Sequence, residues 1–128
     1  MLTTISKELL EDAIKLHGHL GPFLVIGLKM GMRAEKILCQ KPDKCEAETI
    51  NKKPFLCALD GIKVVIKSKA ITVRDGNGLS AKFSKANNEE VIIKIKKDLI
   101  KKYAGGLWEK NEEYANEVIL SDDEQLFE

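Results

Sequence analysis

The chain holds two histidines, and they form one triplet, His17-Gly18-His19. In an extended segment, side chains two residues apart point the same way. Both imidazoles would then reach one metal ion or one substrate, and Gly18 lets the backbone pass close to it. Leu20-Gly21-Pro22 follows, and Pro22 suits the first turn of a helix. The free N–H groups and positive dipole end of that helix disfavour imidazolium. They keep the rings neutral, the form that binds metals, and they also suit an anion. Two nitrogens fall short of a catalytic zinc site, which usually has three protein ligands. Cys57 is the candidate third ligand. It falls in the first turn of a helix expected after Pro54, and a helix N-terminus with Lys52 and Lys53 nearby stabilises thiolate. Asp60, one turn along the same face, would orient a ligand or move a proton. The competing reading makes the histidines fillers of a crowded loop, Cys57 a small buried hydrophobe and Asp60 a solvated helix residue.

Other residue types offer less. Cys39 and Cys45 flank a Pro-Asp turn at a spacing unlike a zinc knuckle, and read as ordinary free thiols. No Gly-x-Gly-x-x-Gly or P-loop is present. The lysines from Lys94 to Lys102 lack interleaved aromatics for base stacking and read as a solvated face. Tyr103 and Trp108 read as core or interface anchors.

The elements that must position these groups follow from periodicity. Ile5, Leu9, Leu10, Ala13, Ile14 and Leu16 recur at helical spacing, with Thr3, Thr4 or Ser6 as cap. A second helix runs from Pro22 to about Leu38. It is apolar nearly all round at its start, so it should be central. Gly27 and Gly31 on one face predict close approach of another backbone, and offer a surface for dimerisation. A strand is expected over Cys45–Ile50 and a helix from Pro54 to Val65, with Val64-Val65-Ile66 as an alternative strand. Ala70–Val73 and Leu79–Ser84 read as a hairpin around Asp75-Gly76-Asn77-Gly78. A strand at Val91–Ile95, a lysine-rich helix ending near Gly105-Gly106 and a last helix over Leu107–Leu120 complete the chain. Residues 121–128 read as an acidic, disordered tail. The order predicts an α+β domain over residues 1–120, with helices on a mixed, largely antiparallel sheet of four to five strands.

A length of 128 residues suits one domain. The net charge of +1 excludes a general nucleic-acid or membrane-surface binder. No apolar run approaches the roughly 20 residues of a spanning helix. Three cysteines make no disulfide framework, which points to a reduced cytoplasmic protein. Charge is uneven: residues 109–128 hold eight acids and one lysine, net −7, against +8 for the rest. An acidic last helix on a basic body accounts for this, and a partner-docking tail is the alternative.

His17-Gly18-His19-Leu20-Gly21-Pro22, followed by a helix with Gly27, Met30 and Gly31, resembles the first motif of the FmdE family, proteins associated with formylmethanofuran dehydrogenase. Cys57-Ala58-Leu59-Asp60-Gly61-Ile62 resembles its second. The resemblance covers about residues 5–95 and implies a thioredoxin-like α+β core. It implies a metal site at His17, His19 and Cys57, holding zinc or another divalent ion, and homodimers. It also implies association with the molybdenum or tungsten enzyme that reduces carbon dioxide onto methanofuran. The chain departs from the pattern at Gly21, where many members have Cys, and at Phe23, where many have Gly. It has no counterpart of a further Thr-Gly-Cys-Thr cysteine or of the C-terminal zinc finger of longer members. Two functions follow: a metal-binding accessory or redox protein using Cys57 and Asp60, or a non-catalytic dimeric protein that binds a partner or small anion at a degenerate site.

Overall fold

Ser6 starts the first helix, its hydroxyl accepting the Leu9 N–H at 3.1 Å. This helix, α1 (Lys7–His17), ends where Gly18 turns left-handed at φ 105° and donates its N–H to Ile14 O. Pro22 opens α2 (Pro22–Leu38), which is buried without a break from Pro22 to Gly31. The computed structural model describes residues 5–50, 55–67, 70–105 and 108–128, without the Trp108 side chain. Pro54, Lys52, Lys53 and Leu107 lie outside the described residues.

Strand β1 (Lys44–Thr49), α3 (Cys57–Ile66) and β2 (Ile71–Asp75) form a crossover unit in which β1 and β2 pair in parallel. Val64-Val65-Ile66 belongs to α3. Strands β3 (Leu79–Ser84) and β4 (Glu90–Lys94) form a hairpin, and β3 pairs antiparallel with β1. The sheet order is β2-β1-β3-β4, so the fold is α+β with a mixed, four-stranded sheet. The expected hairpin between β2 and β3 is therefore not formed, because β1 lies between them. Asp75-Gly76-Asn77-Gly78 turns the chain, but a turn does not choose the hydrogen-bonding neighbour.

On one sheet face Cys45, Ala47, Thr49, Leu79, Ala81, Phe83 and Ile93 are buried. The other face carries ion pairs, Lys82–Glu46 at 2.9 Å and Arg74–Glu48 at 3.5 Å, and meets water. Helix α2 packs on α3, α5, α1 and β4. A Cβ on Gly27 would overlap the Ala58 carbonyl, and one on Gly61 the Leu24 carbonyl. The glycines thus let α2 and α3 press backbone to backbone within one chain. The glycine face of α2 is filled by α3 of the same chain.

Helix α4 (Lys97–Ala104), a 3-10 turn at Trp108–Lys110, α5 (Asn111–Leu120) and α6 (Asp123–Leu126) complete the order. The last eight residues are not a loose tail. Asp122 and Gln125 form a capping box, Leu126 and Phe127 are buried, and Phe127 bridges Ile95. Two apolar residues with cationic partners suffice to seat an otherwise acidic segment. Among the described residues no helix is long and apolar enough to cross a membrane.

Candidate functional site

His17 is the last residue of α1, so the two imidazoles do not meet through strand alternation. The left-handed turn at Gly18 reverses the chain and brings the His19 ring to 4.5 Å from the His17 ring, tilted 47°. Glycine is the residue that adopts this conformation without strain.

The close α2–α3 packing carries the second motif to the same place. His17 Nδ1 lies 2.8 Å from Asp60 Oδ2, across 43 residues of sequence. The carboxylate only accepts, so Nδ1 donates, and in the neutral ring Nε2 is then the nitrogen that presents a lone pair. His17 is nine-tenths buried, Asp60 about 29% exposed, and Lys63 stands 4.0 Å from the other carboxylate oxygen. His17 Nε2 is buried and has no hydrogen-bond partner among the described residues. A carboxylate on one ring nitrogen with the other nitrogen open is the arrangement that orients a metal-ligating histidine.

Cys57 is the first residue of α3, half-buried, and three residues before Asp60. The helix starts there, after a tight turn in which Ala58 and Leu59 donate to Phe55 O and Leu56 O. Its thiol therefore sits at a helix N-terminus, as the sequence predicts. The structure brings His17, His19 and Asp60 together, with Cys57 one turn away. Among the described residues, no group of three or more His, Cys, Asp or Glu side chains is arranged to hold a metal ion. The donor chemistry suits a divalent ion at His17 Nε2, whereas a closed set of three ligands is not preassembled. Cys39 is exposed and Cys45 buried, so these two thiols occupy different environments.

Beside His19 a cavity of about 250 Å³ is walled by Leu20, Asn111, Glu109 and Glu112. Asn111 Nδ2 donates to Leu20 O at 3.3 Å and lies against Gly21, where a Cβ would crowd it. This buttress from the start of α5 has no spacing signature and was not read from the sequence. Lys29 was also missed. Its signal was a lone cation inside Phe23–Met30. It is fully buried and donates to the carbonyls of Ile119, at 2.8 Å, and Ser121.

The family model described as "FmdE, Molybdenum formylmethanofuran dehydrogenase operon" matches residues 16–128. The chain belongs to the FmdE family. The match begins at the His-Gly-His loop and runs through the docked C-terminal segment, so the FmdE domain includes α6. No curated protein is detectably similar to the chain.

Proposed function

We propose that this FmdE-family chain is a metal-binding accessory protein of the formylmethanofuran dehydrogenase system, acting in the reducing cytoplasm. His17, His19 and Cys57 would hold zinc or another divalent ion. The observation that supports the reading is the buried Nε2 of His17, unpartnered among the described residues, whose ring Asp60 orients from the other side. A metal held there supplies Lewis-acid chemistry at an open position. Asp60 fixes the tautomer and ring plane of His17, and Asn111 holds the loop that carries His19. Cys57 adds a sulfur ligand or, without metal, a nucleophile.

Protein purified without a histidine tag and supplied with zinc should retain about one ion per chain after dialysis. His17→Ala and Cys57→Ala should lose it. Asp60→Asn should weaken it by about 10–100-fold in chelator competition, as expected for loss of an orienting partner. Protein that stays metal-free through this treatment sinks the proposal. It would select the second reading, a homodimeric, non-catalytic protein that binds a partner or small anion. The lack of a preassembled trio of ligands among the described residues favours that alternative.

A further inference from the structure

At the end of α1 opposite His17, the first turn of that helix, the second half of α2 and the end of α3 border an open cleft of about 490 Å³. Small-molecule sites run roughly 300–1,000 Å³, so this space suits an organic ligand rather than a lone ion. Leu9, Met32, Val64 and Val65 line it, each packed against the core. Its walls are fixed, because Gly31 of α2 lies so close to Val65 of α3 that a Cβ there would stand 2.8 Å from the valine. Three cations, Lys36, Lys41 and Lys67, share the lining with one acid, Glu35. None of these lysines is in an ion pair among the described residues.

Helix-end electrostatics accounts for part of this. Lys36 and Lys67 stand at the C-terminal ends of α2 and α3, where cations are favourable. It does not account for Lys41, which lies beyond α2 in the connection to β1, or for the apolar lining. Lys67 also holds φ 55°, a helix-capping position that glycine usually fills. A cation is kept on the rim at a place where backbone geometry favours another residue. We propose that this cleft binds an aliphatic carboxylate, its hydrocarbon chain on the apolar lining and its head among the three lysines. The cleft shares no residue with the histidine cluster, so the proposal stands or falls apart from the metal reading.

Sodium dodecanoate, kept below its micelle concentration, is the probe, titrated into the full chain by calorimetry and followed on the Met32 and Val64 methyl resonances. Dodecyltrimethylammonium, with the same chain and a cationic head, is the comparison. Saturable dodecanoate binding, about tenfold or more tighter than the cation and with shifts at both methyls, supports the site. Lys36→Glu/Lys41→Glu/Lys67→Glu should abolish that preference. Lys97→Glu/Lys101→Glu/Lys110→Glu, with the same charge change elsewhere, should keep it. All six positions are exposed, and circular dichroism verifies that both variants fold. Equal affinity for the two heads, or equal loss in both variants, overturns the proposal. So does attachment to phosphatidylglycerol vesicles without any response to monomeric dodecanoate, which would assign the lysines to a membrane surface.

Discussion

His17 owes its geometry to Asp60, a residue 43 positions away. The triplet and the Cys57/Asp60 pair were each legible as spacing, but the hydrogen bond joining them depends on how two glycine-bearing helices pack. The three cysteines likewise differ only once folded. Cys45 is fully buried on β1, and burial, with Glu46 adding, pushes its thiol from 9.0 up to about 12. Between those values the unfolded chain gives up this proton and the folded chain keeps it. The stabilisation is thus fully present below about pH 9 and is lost as pH rises toward 12. One such thiol contributes a fall of about 1.4 kcal/mol per pH unit inside that window. Urea unfolding at pH 8, 9 and 10 should show Cys45→Ala with a correspondingly shallower loss above pH 9. Tyr103, also raised by burial, leaves a residual slope of the same sign at higher pH.

At the scale of elements, the α2–α3 contact sets the site. Gly27→Ala would drive a methyl into the Ala58 carbonyl, which has no side-chain freedom to yield. Overpacking against rigid backbone should cost about 3 kcal/mol or prevent folding. Gly76→Ala meets first the exposed Glu48 side chain, which can swing away. It should stay within about 1 kcal/mol of the parent in urea unfolding. Glycines four apart on an apolar helix made the close approach readable before any coordinates. Strand order was not readable, because Asp75–Gly78 reports a local reversal. The parallel pairing of Cys45 with Ile71, by contrast, depends on a crossover through α3. The start of α3 at Cys57 follows the Phe55–Leu56 turn, a local hydrogen-bond pattern that no residue type announces.

Across the whole molecule the charge asymmetry resolves into docking. Arg33 meets Asp123 at 3.1 Å, Lys96 Nζ donates to Glu124 O, Lys102 pairs with Glu117, and Lys29 caps the end of α5 from the core. The acidic stretch was legible as a partner for a basic body. Its last eight residues were not, since only Leu126 and Phe127 are apolar there and a buried lysine inside α2 gives no hint of its target. Ending the chain after Ser121 removes both buried side chains, which contribute about 1.5–3 kcal/mol each. Scanning calorimetry should show a Tm lower by about 10 °C or more, and a drop under about 3 °C would show that the segment is merely laid on the surface.

The Asn111–Leu20 bond joins residues 91 positions apart, and the same α5 is held at its far end by Lys29. During translation both histidines, the cysteine and the aspartate leave the ribosome well before that buttress exists. The loop around Gly18 therefore matures as a late event, after the closing helices have been made, and a nascent chain stalled before α5 would carry His19 on a loop without its Asn111 contact.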